Sequence, residues 1–247
     1  MVSIIMPAYN AEKTIKASID SIQAQTYEDW ELIIIDDASK DKITDNIPSD
    51  PRIKLYRNEK NIGVANSRNR GISLASGEFL AFLDSDDLWH EYKLKRQLDF
   101  MKENSCNISY TGTAYINSRG EKLPYILGAK KEFTYNHLLR RNLMSLSSVM
   151  LKRDLMVSFP TVNMIHEDYV VWMQLLREHG IAYGLNEPLL IYRIGEATKS
   201  SNRIISAKMT YNAYRYVDYS KLAAGFLTLR YAYHSITKRM ANMEDMV

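Results

Sequence analysis

Three short apolar runs that each stop on a polar cluster constrain this chain more than any other feature. Residues 2–6 run into Pro7-Ala8-Tyr9-Asn10, residues 30–35 stop at Asp36-Asp37, and residues 78–83 stop at Asp84-Ser85-Asp86-Asp87. Runs of this length suit buried strands. Between them lie stretches with helical spacing. Residues 11–26 place Ile15, Ile19 and Ile22 on one face, residues 63–75 place Ala65, Ile72 and Ala75, and residues 91–103 place Leu94, Leu98 and Met101. Residues 52–56 alternate as a further strand. This alternation predicts an α/β fold with a mostly parallel sheet covered by helices on both faces. Ligands of such sheets bind outside the carboxyl ends of the strands. The three polar clusters are therefore the candidate site.

The second half is less regular. Strands are expected at 108–116, 146–151 and 189–192, and a helix at 168–179 with Val171, Leu175 and Leu176 inward. From about Ala207 the chain reads as basic, aromatic helices. The expected partition is 1–205 as one domain, with 1–105 binding nucleotide and 106–205 binding acceptor, and 206–247 as a helical extension.

Composition narrows the class. A chain of 247 residues with 46% apolar and 25% charged residues is globular rather than fibrous or disordered. Cys106 is the single cysteine, so no intramolecular disulfide forms; the simplest reading is a small buried hydrophobe in a reducing compartment. No apolar run reaches the roughly 18–20 residues of a spanning helix, and the N-terminus lacks a basic leader. The expected location is cytoplasmic, with peripheral contact on the inner face of the membrane left open. Net charge is −4 over residues 1–105 and +7 over 106–247. An acidic front suits a bound cation; a basic back suits phosphates or an anionic surface.

Each cluster has a bland reading beside the chemical one. Three carboxylates in Asp84-Ser85-Asp86-Asp87 repel one another unless a cation or donors offset them, and hard divalent cations take such oxygen ligands. The bland alternative is a helix N-cap from Asp86 or Asp87. Asp36-Asp37 can accept from a base or ribose, or simply sit in a solvated turn. Glu167-Asp168 opens a helix, where acids commonly serve only the helix dipole; the chemical reading is a general base. His166 could approach a site or lie on the surface, and His179 reads as structural. No Gly-rich phosphate loop of the dinucleotide or Walker type occurs.

The segments 2–10, 21–27, 32–39, Asn61-Ile62-Gly63 with Arg68-Asn69, and 77–87 together resemble a family 2 glycosyltransferase of the GT-A fold, of the kind that builds bacterial surface polysaccharide. The resemblance is specific over roughly residues 2–100 and extends, more loosely, to about 205. It implies an inverting hexosyl- or N-acetylhexosaminyltransferase that uses a nucleotide sugar, usually a UDP-sugar, with Mn²⁺ or Mg²⁺. By motif, Pro7, Ala8 and Tyr9 would wall the nucleoside, Asp37 would accept from the uracil, and Arg68 would lie near the nucleotide. Asp84, Ser85 and Asp86 match the Asp-x-Asp element, with Asp86 the expected metal ligand beside Asp84. Asp168 matches the catalytic base, with Glu167 beside it. Tyr192-Arg193 and Ser200-Ser201-Asn202 match a late segment of less defined role. The acceptor would be a glycan linked to undecaprenyl diphosphate, and loops 109–128 and 144–148 would bear on donor choice.

Two alternatives stay open at this level. A metal-dependent nucleotidyltransferase also uses a parallel sheet and carboxylates, although the placement of Glu167-Asp168 speaks against it. A nucleic-acid-binding module would suit the basic aromatic half but leaves the acidic clusters unexplained, so no nucleic-acid partner is expected. Between Lys199 and Arg239 eight Lys/Arg face a single acid, Asp218, with tyrosines interleaved. Such a segment over 207–240 suits a bilayer interface or an amphipathic helix packed on the domain.

Overall fold

The computed structural model describes residues 1–195 and 202–244, with side chains described as far as His234. Ser200-Ser201 of the late motif lie outside the described residues. The strands are β1 Val2–Ala8, β2 Trp30–Asp36, β3 Ile53–Arg57, β4 Phe79–Phe82, β5 Leu88–Trp89, β6 Ile108–Ile116, β7 Lys122–Leu127, β8 Glu132–Thr134, β9 Met150–Lys152 and β10 Ile181–Arg193. The helices are α1 Ile15–Gln23, α2 Val64–Leu74, α3 Lys93–Glu103, α4 Tyr135–Leu138, α5 Glu167–His179, α6 Arg203–Tyr216 and α7 Lys221–Glu244.

Two compact units interleave along the chain. The first comprises Met1–Glu132, Met144–Phe159 and Ala182–Glu196; the second comprises Phe133–Leu143, Pro160–Ile181 and Ala197–Val247. A boundary drawn at residue 205 follows the chain, whereas these units follow packing: α4 and α5, from the middle of the sequence, belong with the C-terminal helices.

The first unit is built on a sheet ordered β3-β2-β1-β4-β9-β6-β10-β5, with β7 paired to β6. Strands β3, β2, β1 and β4 are mutually parallel. Beyond β4 the sheet is mixed: β9 is antiparallel to both neighbours, and β6 with β10 is parallel. The order reverses between β1 and β4, which is the topological switch where such sheets open a crevice. The core lies on this half, around Ile4, Met6, Leu32, Ile34, Ala81 and Leu83, covered by Ile15, Ile19 and Ile22 of α1.

Pro7 does not end β1 as the sequence suggested; the strand continues to Ala8. Ile5 carbonyl accepts from Leu83 N on the β4 side, so Pro7, two residues on, faces that side too. Pairing with β4 stops at Ile5–Phe82, so the missing proline N–H has no ladder partner to lose. Helix α2 also differs from expectation. It buries Ser67, Arg68 and Gly71, while Ala65 and Ile72 stay half-buried. A Cβ at Gly71 would sit 2.6 Å from Ile5 Cγ2, so the helix lies closer to β1 there than a larger residue allows. The stretch at 146–151 splits into a 3-10 turn, Leu146–Ser148, and the short β9.

Glu31 enters the apolar sheet at 4% exposure. Its carboxylate accepts from Ser3 Oγ at 2.7 Å, Ser76 N at 2.8 Å, Ser76 Oγ at 2.7 Å and Lys54 Nζ at 2.8 Å. Burial pushes its pKa up, but the bonds from Lys54, Ser3 and Ser76 outweigh burial and hold it at about 2, against 4.5 ordinarily. A depressed carboxyl stabilises the fold above its unfolded pKa and loses that contribution as pH falls through the folded one. Acid unfolding should therefore steepen between pH 4.5 and about 2. Glu31→Gln should flatten that limb and cost on the order of 2 kcal/mol at neutral pH, as read by urea midpoints across pH. Identical acid limbs would remove Glu31 from the account.

The second unit is helical. Thr134 caps α4 in a reciprocal box with His137. Helix α5 buries Tyr169, Val170, Val171, Trp172, Met173, Leu175 and Leu176. Tyr169 hydroxyl lies 2.9 Å from that of Tyr214 and donates to Leu138 O at 3.1 Å, and its ring meets Tyr231 edge-on at 5.6 Å. Arg177 spans the rings of Tyr135 and Tyr219. Part of the aromatic tail is thus core: Tyr214 is fully buried.

Candidate active site

In the first unit the predicted residues gather at the carboxyl ends of β1, β2 and β4. Pro7 and Ala8 are buried in β1, and Tyr9 beyond it is exposed. Ala8 O accepts from Asp37 N at 2.8 Å. The loops after β1 and β2 are laced together: Asn10 N donates to Ser39 Oγ at 3.0 Å, and Lys40 N donates to Asn10 Oδ1 at 2.9 Å. Asn10 and Ala38 hold left-handed backbone, at φ of 52° and 60°. Strain of this kind collects where surrounding structure fixes a functional loop.

Asp37 is 3% exposed. Its Oδ1 accepts from Asn58 Nδ2 at 2.8 Å and Ile62 N at 2.9 Å, and its Oδ2 accepts from Gly63 N at 2.9 Å. A carboxylate offers about four acceptor directions, so these three bonds leave room for one more donor, on Oδ2. Asn58 Nδ2 also donates to Ser67 Oγ at 3.1 Å, which ties this loop to α2. Asp36, fully buried, is bonded by Arg57 and by Ser39 N.

Arg68, the next residue on α2, is 5% exposed and sends Nη2 to Asp84 Oδ1 at 2.8 Å. Its guanidinium lies over the ring of Phe159. Asp84 and Ser85 are partly exposed, Asp86 is exposed, and Asp87 is 2% exposed. Dense surroundings and then the charge of Asp84 raise the Asp86 carboxyl. Burial, then Asp84 and Asp86, push Asp87 well above the usual carboxylate range. The turn therefore carries negative charge that the protein leaves only partly offset. The N-cap reading fails: β5 follows the turn, and α3 begins at Lys93 with Tyr92 as its uncapped N-terminal residue.

Arg193, at the end of β10, is also brought here. Its backbone N donates to Asp87 Oδ1 at 3.0 Å and its Nε donates to Asp86 O at 2.9 Å. Tyr192 feels Asp87, Asp84 and Asp86, all of which act with burial to raise its phenol. Ser147 and Asn58 are structural participants that pattern alone does not reveal. Each is a common polar residue whose partners lie outside its own stretch of sequence, so no local signal marks it.

Among the described residues no cluster of three His, Cys, Asp or Glu stands ready as a closed metal site. The donor set still fits a hard divalent cation. Mg²⁺ and Mn²⁺ are held through one or two carboxylates, with water and substrate phosphates completing the shell, and the carboxylates of Asp84 and Asp86 supply such oxygens.

Glu167 and Asp168 lie in the second unit, in the first turn of α5. Both are half-buried. Asp168 lies close enough to Tyr231 to help burial raise that phenol, against Asn142 backbone and Arg141. His166 precedes the helix and approaches Ser206 O at 3.3 Å within the same unit, and His179 is partly exposed at its end.

The sequence profile described as Glycosyl transferase family 2 matches residues 3–153. TuaG of Bacillus subtilis, a glycosyltransferase named for teichuronic acid biosynthesis, is 34% identical over 97% of this chain and 98% of its own. WfgD of Escherichia coli, named a UDP-Glc:alpha-D-GlcNAc-diphosphoundecaprenol beta-1,3-glucosyltransferase, is 37% identical over 96% of this chain and 94% of its own. In fold, this chain resembles Staphylococcus aureus TarS 1–349 solved with UDP-GlcNAc, at TM-score 0.72 and 20% identity, covering 96% of this chain and 72% of that one. It also resembles the Pyrobaculum calidifontis mannosyltransferase PcManGT, solved with GDP-Man and Mn²⁺, at TM-score 0.68 and 17% identity, over 97% of this chain and 75% of that one.

Proposed function

Because the chain belongs to glycosyltransferase family 2 and is a glycosyltransferase of the GT-A fold, we propose that it transfers a sugar from a UDP-sugar to a hydroxyl of an undecaprenyl-diphosphate-linked glycan, with inversion. The acidic turn after β4, at the sheet's switch point and bound by Arg68 and Arg193, carries this reading. WfgD, named for such a donor and acceptor, matches nearly the whole chain.

In this reading Pro7, Ala8 and Tyr9 wall the nucleoside at the end of β1, and the remaining acceptor direction on Asp37 Oδ2 takes the base N–H. Arg68 holds Asp84 in place at the nucleotide side. Asp84 and Asp86 would hold Mn²⁺ or Mg²⁺, and such an ion, when bound, would supply positive charge to offset that of a leaving diphosphate. Ser85 sits between them in the turn. Asp168, with Glu167 beside it, removes the proton of the attacking hydroxyl. One displacement opposite the leaving group inverts the anomeric centre, and one base suffices because a nucleoside diphosphate leaves without an acid. Hydrolytic glycosidases need a second carboxyl for that purpose.

The test is a screen of UDP-sugars with Mn²⁺ and a lipid-diphosphate-linked acceptor. Expected is release of free UDP; release of pyrophosphate would mark a nucleotidyltransferase, and no turnover of any UDP-sugar would defeat the donor assignment.

Peripheral membrane contact is part of this proposal. No described helix is long and apolar enough to cross a membrane. Helix α7 has two apolar faces. Ala224 and Leu227 are buried, while Leu222, Phe226, Leu229 and Tyr233 share the opposite face at 88%, 67%, 73% and 65% exposure. Arg203, Lys208, Arg215 and Lys221 are exposed on α6 and α7. Exposed apolar side chains together with exposed cations suit an anionic interface, at about 1 kcal/mol per cation near the surface. Co-sedimentation with phosphatidylglycerol vesicles should exceed that with phosphatidylcholine. Phe226→Ser with Leu229→Ser should lower it about tenfold, without changing UDP release from a soluble acceptor analogue. Recovery independent of lipid charge and of these substitutions would assign the stripe to another role.

A further inference from the structure

Beneath the acidic turn lies a buried polar knot. Ser147 and Asp87 are each 2% exposed. Ser147 Oγ accepts from Asp84 N at 3.1 Å and donates to Asp87 Oδ2 at 2.7 Å. Asp87 N donates in turn to Asp84 O at 3.1 Å, which closes the turn on itself. The other oxygen of Asp87 accepts from Arg193 N at 3.0 Å. Ser147 O accepts from Trp89 Nε1 at 2.7 Å, from the strand just after the turn. The 3-10 turn that carries Ser147 is itself anchored, since buried Gln97 Nε2 donates to Ser148 O at 3.1 Å and to Ser109 Oγ at 2.8 Å.

One hydroxyl thus touches both ends of the four-residue turn, and Asp84 and Asp86 project from that turn with Asp87 pointing the other way. We propose that Ser147 and Asp87 are positioning residues that fix the spacing and aim of Asp84 and Asp86 for a divalent cation carrying a nucleoside diphosphate. The inference rests on the proposed transferase reading. Its physical basis is that two carboxylates that repel each other do not hold a common direction unaided. Their backbone must be held from behind, and partners that orient ligands in this way typically govern affinity by 10–100-fold. Ser147 then acts on the site through the turn.

The test measures binding as well as turnover. Free Mn²⁺ is titrated by its electron paramagnetic resonance signal with and without UDP, UDP binding is measured in EDTA, and the thermal midpoint is recorded. Ser147→Ala should weaken Mn²⁺ binding in the presence of UDP by about tenfold or more. It should leave metal-free UDP binding within about twofold, because the nucleoside wall at β1 and β2 is not touched. Ser147→Cys, which keeps a weak donor and a weak acceptor, should fall between Ala and Ser even if the alanine variant folds poorly. Wild-type Mn²⁺ affinity in both variants would overturn the positioning role. Equal loss of metal-free and metal-dependent binding, in step with the thermal midpoint, would make Ser147 merely structural and overturn it too. If the wild-type protein bound no Mn²⁺ with UDP, the metal-dependent transferase reading would itself fall, and this inference with it.

Discussion

Asp86→Ala should lower metal-dependent sugar transfer by about 10²-fold or more while the protein stays folded. A bound cation supplies several kcal/mol of charge stabilisation as a diphosphate leaves, and each 1.36 kcal/mol is tenfold in rate. Asp86 is the most exposed carboxylate of the turn, and both it and Asp84 belong to a group whose charges oppose one another. Removing one charge relieves Asp87, so the thermal midpoint should hold or rise slightly. The comparison is initial UDP release at saturating Mn²⁺ for both proteins, with an EDTA control. Undiminished turnover by the wild-type protein in excess EDTA would end the case for a metal.

Asp168→Asn is expected to reduce turnover by about 10²–10⁴-fold, the range ascribed to a positioned general base. The amide keeps the volume and a hydrogen-bonding oxygen at the head of α5 but cannot take a proton. Donor affinity should stay near the wild-type value, because the residues assigned to donor binding all lie in the other compact unit. Single-turnover rates and UDP-sugar titrations separate the two quantities. A collapse of donor binding with normal chemistry on bound substrate would make Asp168 a donor-site or structural residue instead.

Much of the first unit was legible because its signals are local. The apolar run at 32–35 has no polar residue to place on a solvated face, so it demanded a buried strand, and β2 is buried throughout, Glu31 included. Ile15, Ile19 and Ile22 share one face at helical spacing, and all three are fully buried. The carboxylates after 83 follow a strand because the apolar pattern breaks there, and the turn appears where that break predicts. Helix α2 escaped this logic. Its inward face carries Arg68 and Ser67, which pattern assigns to solvent, and their burial is offset by hydrogen bonds with Asp84 and Asn58 in the loops after β4 and β3.

Sequence alone determined the strand-and-helix alternation, the polar ends of the strands and the membership in a sugar-transferring family. Those follow from periodicity and from motifs within a few residues. Only the tertiary structure decided which carboxylates face outward and which are held from behind. Asp84, Asp86 and Asp87 are chemically alike and nearly adjacent, yet the last is buried against Ser147 and Arg193 while the middle one is exposed. It likewise assigned α4 and α5 to the same unit as the C-terminal helices, and it divided the aromatic tail between core and surface. The physical reason is common to all of these. A buried polar or aromatic group takes its environment from residues 40 to 110 positions away, and the one-dimensional order of the chain carries no local record of them.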